Sequence, residues 1–200
     1  MSRNARAMPQ FPELPIRTPR LLLRPPCVDD TDALFEVFSD AAGMRYWASP
    51  PWTSREQALA QIARDEAARV AGSALRLVLQ PVDGGAALGT VSLFGFHEQC
   101  ARAEIGYILR RDVWGQGLMH EALVGVIDYA MRTLALRRIE ADIDPRNLPS
   151  IRSVERLGFA REGLLRERWL VAGEVCDTVL YGLLAREWAA THGSRDAVST

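Results

Sequence analysis

A mixed, mostly antiparallel α/β sheet in three layers is the fold class this chain predicts. Short alternating runs joined by tight turns lie on either side of one long amphipathic helix, which itself links two strand-like runs. The 200 residues, 48% of them hydrophobic, suffice for a full core as one domain. A strand–helix–strand unit crosses over the sheet, so its two strands are expected to lie parallel with a right-handed connection, flanked by antiparallel hairpins.

RLLLR at 20–24 reads as a short strand, and 29–38 as a helix with Leu34, Val37 and Phe38 on its apolar side. MRYWASPPW follows as a loop with bulky side chains. Thr53 with Glu56 three positions on is a capping-box signature for a helix that presents Ala58, Leu59, Ile62 and Ala63 and ends at Gly72. LRLVLQPV at 75–82 and ALGTVSLFGF at 87–96 flank the hairpin turn Asp83-Gly84-Gly85. A strand at 102–109 precedes RRDVWGQGLMHEAL, and apolar residues at helical spacing predict a helix from Leu118 to Thr133 or Leu134. RRIEADI at 137–143 alternates again. A shorter helix follows, with Asn147 as cap, Pro149 in its first turn and Gly158 as its stop; two strands around Ala172-Gly173 close the domain. The expected organisation is a leader over 1–15 outside the core, one domain over 16–190 and a polar tail over 191–200.

Composition narrows the function classes. A net charge of −1 provides no general field for nucleic acid or an anionic membrane. Cys27, Cys100 and Cys176 have no CxxC or Cys/His spacing, so neither a disulfide framework nor a metal site is expected, and a cytoplasmic setting is. The N-terminus has no continuous apolar segment of signal-peptide or membrane-spanning length.

Gly115 and Gly117 interrupt the start of the long helix. A strand leading into a glycine-bearing helix start aims backbone N–H groups and the positive end of the helix dipole at one spot, which suits a phosphate group. An ordinary strand-to-helix turn would use the same residues. The spacing is neither that of a P-loop nor that of a dinucleotide-binding turn.

AEIGYILRRDVWGQGLMHEAL, then DPRNLPSIRSVERLGFAREG and GEVCDTVLYGLL, together with TPRLLLRP and TSREQA, resemble the GCN5-related N-acetyltransferase (GNAT) family, and within it the ribosomal-protein N-terminal acetyltransferases and their relatives. The resemblance spans about Ile16 to Trp188. It implies a GNAT-like sheet whose central parallel pair splays apart around the pantetheine arm of acetyl-CoA. It also implies coenzyme contacts from Ile108, Leu109, Trp114, Gly115, Gln116, Gly117, Leu118 and Met119, and from the Asn147/Ser150 element. Met119 departs from the family's small residue, and binding there requires its thioether to turn into the core. Val154 stands where many members carry a tyrosine acid, which leaves Ser150 or water to polarise the sulfur.

Acetyl transfer to an amine needs a proton acceptor and a hydrogen-bond donor for the departing thiolate. Glu104 is the preferred base, through water; it also reads as a carboxylate that orients the substrate ammonium or pairs with an arginine. Asn147 and Ser150 read as coenzyme contacts or as helix-capping residues. Strand alternation puts Glu104, Gly106 and Ile108 on one face and Ala103, Ile105 and Tyr107 on the other, which favours core packing for Tyr107. His120 is placed too far from a thioester to act as base, His97 in a loop, and Cys176 without a catalytic partner. Trp47, Trp52 and Trp169 read as an acceptor pocket or as core cover, and Asp177 as a residue that fixes the substrate loop or neutralises a cation. The acceptor the resemblance implies is a protein or peptide N-terminal α-amine, with a small-molecule amine as the alternative and a non-catalytic acyl-CoA-binding module as the further one. Homodimerisation is left open.

Overall fold

The computed structural model describes residues 10–192. Eight strands form one sheet in the order β1-β2-β3-β4-β5-β6-β8-β7: β1 (Ile16–Arg17), β2 (Leu21–Arg24), β3 (Leu75–Pro81), β4 (Gly89–His97), β5 (Arg102–Leu109), β6 (Arg138–Ile143), β7 (Ala160–Val171) and β8 (Glu174–Leu184). Among the described residues only β5 and β6 pair in parallel; the other neighbours are antiparallel. The helices are α1 (Thr31–Ser39), α2 (Arg55–Ala71), α3 (Leu118–Arg132), α4 (Leu148–Arg156) and α5 (Ala185–His192).

Strand alternation sorts the side chains into two cores. Leu75, Leu77, Val91, Leu93, Ala103, Ile105 and Ile139 face α3, α4 and α5 in the larger one. Val78 and Ile108 point the other way and pack with Leu34, Val37 and Phe38 of α1 and Ala58 and Ile62 of α2. The three expected layers follow from these two faces.

Several local expectations shift. The capping box of α2 is Ser54 with Gln57, not Thr53 with Glu56: Ser54 is the extended residue at φ −151°, and Gln57 Oε1 accepts from Thr53 N at 2.6 Å and Ser54 N at 3.1 Å. Gly84 and Gly85 have the positive φ expected of the turn, but β4 starts at Gly89 because Ala87 is drawn into the smaller core. Residues 10–15, expected as part of a leader outside the core, reach it instead. Phe11 and Leu14 pack on the larger core, and Pro12 O accepts from the Tyr129 hydroxyl at 2.8 Å. Helix α5 includes Thr191 and His192, assigned to the tail; Trp188 is 2% exposed and anchors it. The remainder of the expected leader and tail lies outside the described residues.

Buried between β2 and α1, Asp30 holds Arg24 through two bonds of 2.8 Å and accepts from Cys27 N at 2.8 Å. Burial alone would raise the Asp30 carboxyl, but Arg24 and the Cys27 amide more than offset this and hold it below its ordinary value.

Candidate active site

The parallel ladder between β5 and β6 covers only Arg102–Arg138, Ala103–Ile139 and Glu104–Glu140. Beyond Glu104 each strand keeps its antiparallel partner, β4 or β8, and the two part. A wedge with unpaired strand edges therefore opens between Glu104 and the turn that starts α3.

Glu104 stands at the root of the wedge on the α1/α2 face and makes no hydrogen bond or ion pair with the described residues. Its carboxylate lies against a bulge in β4, where Gly95 has φ +60° and a Cβ would sit 3.0 Å from Glu104 Oε1. Burial first, then the neighbouring carboxylates of Glu140 and Asp142, hold the Glu104 carboxyl above its ordinary value, against Arg102 and Arg168. Glu140 is already paired with Arg102 at 2.5 Å and Arg138 at 2.7 Å.

At the wide end, Gly115 and Gly117 both have φ +76°, which is why glycine stands at both positions. No atom lies within 4 Å of a Cβ built on Gly115. The first bond of α3 runs from Glu121 N to Gly117 O, so the amides of Leu118, Met119 and His120 precede the helical ladder. Leu118 is buried in the larger core and Met119 packs against it, which turns the thioether inward. Trp114 folds back over β5, its Nε1 donating to Leu109 O at 2.7 Å. Ile108 is 5% exposed, so only its backbone is offered to the wedge.

Arg20 escaped the sequence reading. Its Nη1 donates to Gln116 O at 2.9 Å, its Nε pairs with Glu121 Oε2 at 2.6 Å, and Thr18 Oγ1 donates to Glu121 Oε1 at 2.6 Å. These contacts tie the glycine turn to the start of β2. The run TPRLLLR was visible, but its partner lies about a hundred residues away.

Across the wedge, Asn147 Oδ1 caps α4 by accepting from Ser150 N at 3.2 Å, while its Nδ2 bonds no described protein atom. Capping and ligand contact are therefore compatible in one side chain. Ser150 Oγ and the Tyr107 hydroxyl share a hydrogen bond of 2.8 Å that joins β5 to α4. Tyr107 does lie on the face opposite Glu104 and packs on the larger core, yet its hydroxyl reaches the candidate sulfur-binding serine. Burial pushes its pKa up to about 12, against the Ser150 bond.

The other candidates occupy structural positions. Trp52 stacks on Phe38 at 4.5 Å and Trp47 meets it edge-on at 5.4 Å, so both cover the smaller core. Trp169 Nε1 donates to Asp142 Oδ1 at 3.3 Å, beside Glu104's face. Asp177 Oδ1 accepts from Glu167 N at 2.8 Å and holds the bulge of β7, where Glu167 has φ 53°. His97 Nδ1 accepts from Cys100 N at 3.3 Å. His120 lies in the first turn of α3, its pKa lowered by burial and by Arg156 and His192. Arg146 pairs with Asp144 and Glu174 and lies over Tyr46, linking the tryptophan loop to the β7–β8 hairpin. No group of three or more His, Cys, Asp or Glu suited to a metal occurs among the described residues. No described helix is long and apolar enough to cross a membrane.

A splayed parallel pair, helix-start amides at its wide end and, at its root, a carboxylate with no hydrogen bond or ion pair to the described residues are compatible with a long thioester ligand laid between the two strands. The chain belongs to the acetyltransferase (GNAT) domain family, which matches residues 20–160, and its acyl donor is acetyl-CoA. It is 36% identical to the uncharacterized N-acetyltransferase p20 of Bacillus licheniformis over 86% of this chain and 97% of that one. Over 84 residues, 42% of this chain and 43% of the relative, it is 38% identical to the [ribosomal protein uS5]-alanine N-acetyltransferase of Escherichia coli. The fold also matches a spermidine N-acetyltransferase from Vibrio cholerae, solved with CoA and spermine, with a TM-score of 0.75 and 21% identity over 84% of this chain and 97% of that one.

Proposed function

We propose that the protein transfers the acetyl group of acetyl-CoA directly to a protein or peptide N-terminal α-amine, as the ribosomal-protein branch of the family does. The observation that carries the reading is Glu104: a carboxylate with no hydrogen bond or ion pair to the described residues, at the point where β5 and β6 part, on the face away from the larger core. An α-amine has an unperturbed pKa near 8, against about 10.4 for lysine, so its neutral form is within easier reach of such a base.

The coenzyme contributes an activated thioester. The amides that begin α3 hold its pyrophosphate, the facing edges of β5 and β6 take its pantetheine arm, and Asn147 Nδ2 contacts that arm. Glu104, through water, takes the proton given up by the attacking amine. The Ser150 hydroxyl donates to the departing sulfur, with Tyr107 donating to Ser150 Oγ and so leaving the serine proton free for the sulfur. The similarity to a uS5-alanine acetyltransferase supports a peptide acceptor. The carboxylates of Glu104, Glu140 and Asp142 on one face favour a second reading, a small cationic amine.

Competition kinetics with peptides carrying free or blocked N-termini, alongside polyamines and aminoglycosides, test the choice. Transfer to the free N-terminus with none to the blocked peptide is expected. Efficient transfer to a polyamine with no peptide turnover would overturn it.

A further inference from the structure

The start of α3 sets two opposing charges side by side. Its amides suit a pyrophosphate, yet its first turn also carries Glu121, a carboxylate that would repel one. Arg20 stands between these demands. Glu121 Oε1 accepts from the Arg20 backbone N–H at 2.7 Å and Oε2 from its Nε at 2.6 Å, so one carboxylate grips the arginine at both ends and the two charges offset each other. Held in this way, the guanidinium lies against the glycine turn: Nη1 donates to Gln116 O at 2.9 Å, and Nη2 lies 3.6 Å from where a Cβ on Gly117 would be.

The bond to Gln116 O decides which way an amide points. The Gln116–Gly117 peptide is trans, the cis bond among the described residues being Leu14–Pro15. In a trans peptide C=O and N–H point in opposite directions. With its oxygen on Arg20, this peptide turns the Gly117 N–H away from the arginine, and that N–H donates to no described atom. Gly117 is left-handed and Leu118 begins the right-handed helix, an alternation that makes successive amides converge into an anion-binding nest. A peptide that leads into glycine is also easily flipped, because glycine accepts either sign of φ. Flipped, it would set a carbonyl oxygen in the nest in place of a donor.

We propose that Arg20 is a positioning residue for the coenzyme: from behind the turn it holds the Gln116–Gly117 peptide with its N–H toward the pyrophosphate, and it neutralises the Glu121 carboxylate beside that site. The proposal deepens the coenzyme reading and rests on the pyrophosphate lying at the start of α3. It concerns the donor alone, so its test needs no acceptor.

The test compares CoA, by calorimetry, with pantetheine, which keeps the arm and lacks every phosphate, by NMR titration, in the wild type and in Arg20→Gln. CoA is expected to bind the variant about tenfold or more weakly, on the scale of a hydrogen bond to a charged group, while pantetheine binds both proteins alike. A merely structural role would weaken the two ligands equally. The double variant Arg20→Gln/Glu121→Gln leaves the net charge unchanged and sets two amides against each other; it serves if the single variant does not fold, and is expected to lose CoA affinity in the same selective way. In amide NMR spectra of the wild type, the Gly117 proton is expected to move downfield on addition of CoA, and this readout decides where pantetheine binds too weakly to compare. Unchanged CoA affinity in a folded variant, equal losses for the two ligands, or a Gly117 amide that CoA does not shift would overturn the positioning role. A wild type that binds no CoA would overturn the coenzyme reading and this proposal together, whereas one that binds CoA but acetylates no amine would sink the transfer reading and leave Arg20 to be judged on the binding data.

Discussion

A single carboxylate sets the expected pH behaviour. Glu104 has its pKa raised by burial and by Glu140 and Asp142, so its basic form is depleted as pH falls through a value above the ordinary glutamate range. Turnover should therefore rise with pH along a limb displaced upward from that range. Glu104→Gln should abolish the limb and lower kcat by about 10² to 10⁴-fold while acetyl-CoA affinity is retained. A pH–rate profile beside calorimetry checks both, and a variant with wild-type rate would return Glu104 to an orienting role. Tyr107 acts one step removed. Tyr107→Phe removes the hydroxyl that fixes Ser150, and kcat should fall about tenfold, the scale of one hydrogen bond, with KM for acetyl-CoA little changed. Equal losses in kcat and thermal stability would mean that the pair only joins β5 to α4.

At the level of elements, the glycine turn and the β2–α1 junction make different demands. Gly117 caps α3 at φ +76°, so Gly117→Ala forces a side chain into the left-handed region at about 1 kcal/mol and moves the first helical amides. Denaturant titration should show that loss, and calorimetry a roughly tenfold weaker acetyl-CoA complex. Weaker folding with unchanged affinity would make the turn purely structural. Asp30 behaves as a folding switch. Its carboxyl is held low in the folded state, so its contribution is fully present above the unfolded aspartate value and is lost as pH falls through the depressed one. Asp30→Asn should cost about 3 kcal/mol at neutral pH, because Arg24 loses its buried partner, and should flatten the acid limb of a stability–pH curve.

Across the whole molecule, the wedge is a gap in an otherwise continuous eight-stranded sheet. A ligand that fills it joins β5 to the α4 side of the fold and binds only the folded chain. Acetyl-CoA at a hundredfold excess over its Kd should therefore add about 2.7 kcal/mol and raise Tm by roughly 5–10 °C for a chain of this size. Thermal scans with and without ligand measure it. No shift at saturating ligand would contradict the placement of the coenzyme in the wedge.

Periodicity and turn chemistry are local properties, and they were legible. Alternation placed Glu104 and Tyr107 on opposite faces of β5, Gly72 ended α2, the crossover required β5 and β6 to be parallel, and the glycine pair marked the start of α3. Where competing caps stood side by side, as at Thr53 and Ser54, the start of the helix at Arg55 decided between them. The eight residues of α5 had too little periodicity of their own, and burial of Trp188 shows what holds them. Tertiary structure alone decided which distant side chains meet. Arg20 reaches Glu121, Tyr107 shares a hydrogen bond with Ser150, and Asp65 comes within ion-pair reach of Arg76. Sequence periodicity says which face a side chain takes but not what stands opposite it; that depends on strand register and on the point where β5 and β6 stop pairing, which are set by the packing of both faces at once.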